Sequence, residues 1–241
     1  MNEIVAVDVE TTGLSPQQGD RICEIALMSI VSGQVMREFV TLVNPERSIP
    51  PEASAVNRIT DAMVRSAPTF RDIADQVHPF LEGKLAVLHN GPFDLSFLEH
   101  HFDLLGKPVP NLKYFDTLKI ARKYFDFPSN RLPVIAKHLQ VDTVDSHRAA
   151  GDAWRCYQVF AKMVESLDVN QLRPTKFPRA TRKRSQPATP LPAAPAIMIQ
   201  VTPAAPSRPA CPKCQAALTD EEIFGGICRK CHSIFTITRG N

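Results

Sequence analysis

The chain has 241 residues, of which 44% are hydrophobic, and it carries a formal net charge of +3. A chain of this length and composition can bury one full-sized core and still carry a smaller module. No apolar stretch approaches the roughly 18 residues needed to cross a bilayer, and the N-terminus lacks the basic and apolar segments of a secretory signal. We therefore expect a cytoplasmic protein with no membrane partner.

The small net charge hides an uneven distribution along the chain. Residues 1–168 hold 22 acidic and 17 basic side chains, whereas residues 169–219 hold eight basic side chains and no acidic one. Proline and alanine are frequent in the same basic segment, a composition typical of an extended linker. Such a segment would raise the affinity of the protein for a polyanion such as a nucleic acid. A linker that its charge merely keeps solvated is the alternative.

The first 168 residues show the patterns of a globular α/β domain. Apolar runs predict five strands, at Ile4–Val7, Ile22–Val31, Val35–Val43, Leu85–Leu88 and Lys113–Phe115. Apolar residues at helical spacing predict helices around Val56–Val64, Phe70–Leu81, Pro92–Gly106, Leu118–Tyr124, Leu132–Leu139 and His147–Leu167. Strands that come first, with helices interleaved afterwards, favour a mixed sheet with flanking helices.

Acidic side chains follow two of these strands and occur near the start of the last helix. Asp8 and Glu10 lie two residues apart in an extended segment, a spacing that places both side chains on the same face. Asp94 follows the fourth predicted strand, and Asp152 lies five residues after His147. Each carboxylate alone also fits a polar turn or an exposed helix face. Taken together, however, these carboxylates lie at the ends of strands and helices, and such ends can converge on one pocket at the edge of the sheet.

The chemistry of such a pocket is that of a metal site. Hard carboxylate oxygens select Mg²⁺ or Mn²⁺ rather than zinc. Two of these ions about 4 Å apart can clamp the attacking water and the leaving oxygen of an in-line phosphoryl displacement. A histidine beside them, with a pKa near neutrality, is suited to take the proton from that water. The sequence therefore predicts metal-assisted cleavage of a phosphodiester.

Three short motifs carry a resemblance to a known family. Residues 8–14 read Asp-Val-Glu-Thr-Thr-Gly-Leu, residues 89–94 read His-Asn-Gly-Pro-Phe-Asp, and residues 147–153 read His-Arg-Ala-Ala-Gly-Asp-Ala. In order and spacing they resemble the three exonuclease motifs of the DEDDh class. Within that class they are most similar to the DnaQ-like group, which includes the proofreading subunit of bacterial replicative polymerase. The resemblance covers residues 3 to about 166.

The resemblance implies a ribonuclease-H-like fold and 3′→5′ hydrolysis of single-stranded ends, with release of nucleoside 5′-monophosphates. It also implies two Mg²⁺ or Mn²⁺ ions, with His147 as the general base. The ligands of these ions would be Asp8, Glu10, Asp94 and Asp152. The terminal nucleotide would be bordered by Thr11, Thr12, Leu14 and Phe93. One departure is visible, because residues 56–60 read Val-Asn-Arg-Ile-Thr where many relatives carry a His-Gly-Ile-Thr segment.

The substrate is predicted less directly than the reaction. The first motif is closest to that of DNA-directed relatives, so we expect single-stranded DNA 3′ ends as substrates, in DNA repair or proofreading. A polymerase or another replication or repair protein is then a candidate partner. An RNA-trimming 3′–5′ exoribonuclease is one alternative, since sugar discrimination depends on contacts near the 2′ position. A catalytically silent nuclease-like adaptor that tethers a partner is another.

Four cysteines near the C-terminus have the spacing of a second kind of metal site. They form two Cys-x-x-Cys pairs, Cys211 with Cys214 and Cys228 with Cys231. Two such turns can complete one tetrahedral site, and with four sulfur ligands the ion is structural. We therefore expect one Zn²⁺ in a small zinc ribbon.

The chain is thus predicted to contain three segments. An exonuclease domain would occupy residues 1–168, a basic, proline- and alanine-rich linker residues 169–209, and the zinc ribbon residues 210–241. Cys23 and Cys156 are isolated within apolar patterns, so we expect both to be buried free thiols.

Overall fold

The computed structural model describes residues 3–141, 148–167 and 172–178. His147 and the four cysteines of the predicted zinc ribbon lie outside the described residues, as does most of the predicted linker. Of the helices in the described part of the chain, none has the length and apolar character needed to cross a membrane.

Six strands form a single sheet in the order β3-β2-β1-β4-β5-β6. Their bounds are β1 (Ile4–Thr11), β2 (Ile22–Val31), β3 (Gln34–Leu42), β4 (Leu85–Leu88), β5 (Leu112–Asp116) and β6 (Thr175–Phe177). Strands β1, β4 and β5 run parallel, whereas β2, β3 and β6 each pair antiparallel with a neighbour. The predicted mixed sheet of an α/β domain is confirmed.

The sheet contains one strand more than the five predicted. Strand β6 is only three residues long and lies between Pro174 and Pro178. So short a segment has no apolar alternation from which a strand could be recognised. Its pairing with β5, which includes Lys176 opposite Lys113, carries the sheet beyond residue 168, where the exonuclease domain was predicted to end.

Seven α-helices are present among the described residues, with one 3-10 helix at Pro16–Gln18. The α-helices are α1 (Pro51–Asn57), α2 (Asp61–Val64), α3 (Phe70–Leu81), α4 (Gly91–Leu104), α5 (Thr117–Tyr124), α6 (Leu132–His138) and α7 (Ala149–Glu165). The predicted ranges agree closely with these bounds. The segment predicted as one helix around Val56–Val64 divides into α1 and α2, because Arg58 adopts a left-handed conformation, with φ 60°, at the end of α1.

The core lies on both faces of the sheet, and this division positions the functional residues. Side chains alternate along β1, so that Val5, Val7 and Val9 pack with α3 and α4, while Ala6 packs with α5, α6 and α7. By the same alternation, Asp8 and Glu10 lie on the α7 face of the sheet. Small buried residues on this face, among them Ala6, Ala26, Ala149 and Ala153, let α7 approach the strands closely.

Strand β3 forms one edge of the sheet and is largely exposed on both faces. Its exposed side chains include apolar ones, Val35, Met36 and Val40. Arg37 and Glu38 lie between them. A register shift interrupts the pairing of β2 with β3 between Ser29 and Ile30.

Candidate active site

Three of the four predicted metal ligands come together at the carboxyl end of β1. Asp8, Glu10 and Asp152 each offer a carboxylate oxygen, and these oxygens lie within 4.8 Å of one another. Asp8 and Glu10 share the face of β1 that α7 covers, and Asp152 lies in the first turn of α7. A strand and a helix that are remote in sequence thus deliver three hard ligands to one point, a donor set that fits Mg²⁺ or Mn²⁺.

Asp94, the fourth predicted ligand, is tied directly to the same strand. It lies in the first turn of α4 and is buried, and its Oδ1 accepts a hydrogen bond of 3.1 Å from the backbone nitrogen of Val9. Val9 separates Asp8 from Glu10. The start of α4 is closely packed, because a Cβ on Gly91 would lie 2.9 Å from the ring of Tyr114.

Burial and mutual repulsion favour the protonated forms of these acids. Burial, followed by the charges of Asp94 and Glu10, raises the pKa of Asp8 well above its ordinary value. Burial, with a smaller contribution from Asp152, raises the pKa of Glu10 to about 7. The pKa of Asp94 is raised to about 8, mainly by burial, although the hydrogen bond from Val9 opposes the shift. Such a cluster is relieved by a bound cation.

Two basic side chains lie against this acidic cluster. Arg155, which is almost fully buried, forms an ion pair with Asp152 one helical turn away in α7. Arg148, at the N-cap position of α7, forms an ion pair with Glu24 of β2. The predicted general base, His147, directly precedes Arg148 in the sequence but lies outside the described residues.

Glu24 is a residue of the site that sequence reasoning missed. It is buried, and it faces Glu10 directly across the pairing of β1 with β2. It accepts hydrogen bonds from the Nε of Arg148, at 3.0 and 3.1 Å, and from the backbone nitrogen of Ala149 at 2.9 Å. The sequence did carry a sign of its importance, because Glu24 is the single charged residue in the apolar run Ile22–Val31.

The two threonines predicted to border the nucleotide are buried and have internal partners. The hydroxyl of Thr11 donates to the carbonyl of Gly13 at 2.6 Å, and that of Thr12 accepts from the backbone nitrogen of Arg21 at 3.0 Å. A Cβ on Gly13 would lie 2.3 Å from a carboxylate oxygen of Asp20, so the Asp20 side chain would have to move to admit any larger residue. These contacts fix the turn that follows β1.

The two predicted apolar contacts differ in how much surface they offer. Leu14 is 86% exposed, although it is a large apolar side chain. Phe93 is partly buried against the core and packs on Phe97, with ring centroids 5.1 Å apart. Leu14 therefore has the larger apolar surface available to a ligand.

Asn57 connects α1 with the end of β1. It is buried, its Nδ2 donates to the carbonyl of Thr11 at 3.2 Å, and its Oδ1 accepts from the backbone nitrogen of Ile59 at 3.0 Å. Arg58 follows in the left-handed conformation that favours glycine. Asn57 and Arg58 stand where the resemblance implies His-Gly. Arg58 therefore has the backbone conformation expected of the glycine, although it carries a side chain.

His89 is a structural link in the second motif. Its Nδ1 lies 2.8 Å from the hydroxyl of Thr117, and its Nε2 lies 3.1 Å from the carbonyl of Asn130. Because that carbonyl can only accept, Nε2 carries the hydrogen. Burial lowers the pKa of His89, so the ring is neutral and joins three segments.

Comparisons with known proteins agree with this architecture. The family model RNase_T, described as an exonuclease family, matches residues 5–160. The chain is 34% identical over 164 residues to the 3′-5′ exonuclease DinG of Bacillus subtilis, which covers 68% of this chain but only 18% of that protein. It is 35% identical over 162 residues to the DNA polymerase III subunit epsilon of Treponema pallidum, which covers 66% of this chain and 75% of that subunit.

Solved structures show the same fold. Exonuclease X, in complex with 5′ overhanging duplex DNA, is 25% identical, with a TM-score of 0.55, and the match covers 69% of this chain and 92% of the other. The nuclease domain of 3′hExo, a DEDDh family member bound to rAMP, is 19% identical, with a TM-score of 0.60, and the match covers 72% of this chain and 96% of that domain. The family model and the epsilon subunit establish that the chain belongs to the exonuclease family, and the solved structures show that it shares the fold of other nucleases.

Proposed function

We propose that the protein is a metal-dependent 3′–5′ exonuclease that removes nucleotides from single-stranded DNA ends and releases nucleoside 5′-monophosphates. The observation that carries the proposal is the group of carboxylates from Asp8, Glu10 and Asp152, whose oxygens lie within 4.8 Å of one another. Like charges this close together in a largely buried setting destabilise a fold, even though Arg155 pairs with Asp152. Their convergence is accounted for by a ligand that carries positive charge.

The metal ligands in this proposal are the four carboxylates at the ends of β1, α4 and α7. Asp8, Glu10, Asp94 and Asp152 would hold two Mg²⁺ or Mn²⁺ ions. Bound divalent ions supply positive charge for the phosphoryl oxygens and lower the pKa of a water molecule. The hydrogen bond from Val9 to Asp94 keeps one ligand fixed to the strand that carries two others. His147, next to the anchored Arg148, would accept the proton of the attacking water.

The substrate assignment rests on relatives and on one exposed side chain. The relatives include an epsilon subunit of DNA polymerase III, and a structural neighbour is in complex with overhanging duplex DNA. Leu14, beside the carboxylates in sequence and almost fully exposed, offers an apolar surface on which a terminal base can pack, and Phe93 would supply a second apolar contact. Thr11 and Thr12 would border the nucleotide through the turn that they hold.

Further assignments concern the rest of the chain. We propose the linker and the zinc ribbon predicted from the sequence, with Zn²⁺ bound by Cys211, Cys214, Cys228 and Cys231. A polymerase or another replication or repair protein is the proposed partner, by analogy with the epsilon subunits among the relatives. Such a role places the protein in the cytoplasm, where DNA is processed in the bacteria from which these relatives come.

Degradation of matched strands tests the proposal. DNA and RNA oligonucleotides of one sequence, labelled at the 5′ end, are incubated with the full-length protein and Mg²⁺. We expect a ladder that shortens from the 3′ end, faster on DNA, with mononucleotide products. The Asp8→Ala protein should lose at least about a thousand-fold in rate, since an electrostatic element of this kind is worth several kcal/mol of transition-state stabilisation.

The same assay separates the alternatives. Faster shortening of RNA would replace the DNA assignment with an exoribonuclease. A folded wild-type protein that shortens neither strand, and binds Mn²⁺ no better than Asp8→Ala, would instead support the silent adaptor.

A further inference from the structure

We propose that Glu24 and Arg148 form a positioning pair, which fixes the position of α7 relative to the sheet and so places Asp152 at the metal site. Neither residue is among the proposed ligands. The inference rests on the proposed function, since it states how the same site is held in shape.

The burial of Glu24 shows that the pair is built into the domain. The side chain of Glu24 is 2% exposed, whereas that of Arg148 is 45% exposed. A carboxylate in such a position is costly unless it is paired and hydrogen-bonded. Arg148 supplies the pairing through two nitrogens, Nε and a terminal guanidinium nitrogen, a two-point contact that fixes direction as well as distance.

Glu24 also performs the task of a helix cap for α7. The first backbone nitrogens of a helix have no partner within the helix, and the side chain at the N-cap position, that of Arg148, caps none of them. The carboxylate of Glu24 accepts from Ala149, the first residue of α7, at 2.9 Å. A negative charge at this end of the helix is also favourable to its dipole. A strand residue thus holds the end of a helix.

Only two hydrogen bonds separate Glu24 from the backbone of Asp152. The backbone nitrogen of Asp152 donates to the carbonyl of Arg148 at 3.1 Å, and the guanidinium of Arg148 binds Glu24. Glu24 in turn lies directly opposite Glu10 in the β-sheet. Through β2, the pair therefore connects the strand that carries Glu10 with the helical turn that carries Asp152. These two parts of the site are far apart in the sequence.

A second ion pair on the same strands provides a matched control. Glu3, just before β1, binds Lys84 at 2.5 Å and accepts from the hydroxyl of Ser29 at 2.7 Å. It joins β1, β2 and β4 at the opposite end of β1 from the carboxylates. Breaking this pair should affect the fold but not the geometry of the site.

Binding of Mn²⁺ alone distinguishes positioning from charge. Calorimetric titrations of the full-length protein would compare Glu24→Gln, Arg148→Gln and Glu3→Gln, with Asp8→Ala as the reference that lacks the site. Through charge alone, Glu24→Gln would weaken Mn²⁺ binding and Arg148→Gln would tighten it, because the second change removes a positive charge. Through positioning, both changes weaken binding, by about ten-fold, the usual effect of losing a residue that orients a ligand.

We therefore expect Glu24→Gln and Arg148→Gln to bind Mn²⁺ about ten-fold more weakly, with Glu3→Gln unchanged. Arg148→Lys, which keeps the charge but not the two-point contact, should recover only part of the loss. In the nuclease assay the same two variants should lose kcat at nearly constant KM. Thermal melting is measured for each variant, so that binding is compared on folded protein.

Unchanged or tighter Mn²⁺ binding by folded Arg148→Gln would overturn the proposal, as would an equal loss in Glu3→Gln. These results are separate from the fate of the proposed function. A wild-type protein that binds Mn²⁺ but cuts neither DNA nor RNA would refute the nuclease, while the weaker binding of Glu24→Gln and Arg148→Gln would still establish the positioning role.

Discussion

Two aspartates at the same edge of the sheet have opposite surroundings. Asp116, at the end of β5, is buried and accepts hydrogen bonds from the backbone nitrogens of Asn90 and Leu118, at 3.1 and 3.0 Å. Asp8, in β1, is surrounded by the carboxylates of Asp94, Glu10 and Asp152. The donors around Asp116 satisfy its charge within the fold, whereas the charged groups that act on Asp8 are acidic and repel its charge. A carboxylate at a strand end is therefore structural or ligand-binding according to the groups that face it.

Substitution of each aspartate should change stability in opposite directions. Asp116→Ala leaves buried backbone nitrogens at the starts of α4 and α5 without acceptors, and should lower the free energy of unfolding by about 2–4 kcal/mol. Asp8→Asn removes an acid whose charged form is disfavoured in the folded state, and should raise that free energy by on the order of 1 kcal/mol at slightly alkaline pH in the presence of a chelator. Urea denaturation measures both.

The same comparison has a control. With saturating Mg²⁺, the wild-type protein should gain stability, because the ion binds only the folded state. Asp8→Asn should gain much less, because it lacks one of the carboxylates proposed to bind the ion. Destabilisation of the metal-free protein by both Asp8→Asn and Asp116→Ala would contradict the distinction drawn between the two aspartates.

The pH dependence of stability should reveal the unsatisfied acids. In the folded protein the pKa of Glu10 is about 7 and that of Asp94 about 8, above the ordinary values of about 4 in an unfolded chain. The folded state therefore holds these protons more tightly. Without metal, the free energy of unfolding should fall as pH rises from about 4 to about 8, by on the order of 3 kcal/mol for a shift like that of Glu10.

Two further measurements test whether these acids cause the pH dependence of the free energy of unfolding. Glu10→Gln should make the slope of this dependence shallower, since one of the two titrating groups is removed and Asp94 remains. Mg²⁺ should stabilise the protein more at about pH 8 than at about pH 5, where protons compete with the ion. A metal-free stability that rises steadily over the same range, in both the wild type and Glu10→Gln, would argue against the raised pKa values.

The smallest effect on stability is expected at Leu14, beside the carboxylates but without a role in the core. Because this side chain is 86% exposed, Leu14→Ser should change the free energy of unfolding by less than about 0.5 kcal/mol. The KM for single-stranded DNA should nevertheless rise several-fold, as one apolar contact with a base is lost. Ile120→Ser, on the buried face of α5, is a contrast that should destabilise the fold. An unchanged KM for Leu14→Ser would remove Leu14 from the nucleotide site.

Much of the fold could be predicted because its signals are local. An apolar run gave the bounds of β2 and a period near 3.6 gave those of α3 without error, and the bounds of most other elements were predicted to within a few residues. The convergence of Asp8, Glu10 and Asp152 followed from their places at the ends of such elements. Two acids with the same spacing in an exposed strand would have shown the same pattern, so the three motifs together were needed.

The features that escaped prediction depend on contacts between distant segments. Strand β6 exists because β5 offers it an edge, and its three residues carry no pattern of their own. Glu24 is tolerated in an apolar strand because Arg148, 124 residues later, reaches it. The hydroxyls of Thr11 and Thr12 serve the turn that follows β1, which sequence could not distinguish from a role at the nucleotide.

Within the described residues β3 is an edge strand of the sheet, and this bears on how the protein behaves at high concentration. Strand β3 presents backbone donors and acceptors together with exposed Val35, Met36 and Val40, a combination that invites pairing between copies and aggregation. Arg37 and Glu38 interrupt the apolar surface, and the register shift near Ser29 distorts the strand pairing beside them. Neutral residues at positions 37 and 38 would leave a longer apolar edge, so we expect these two charges to slow aggregation of the stored protein.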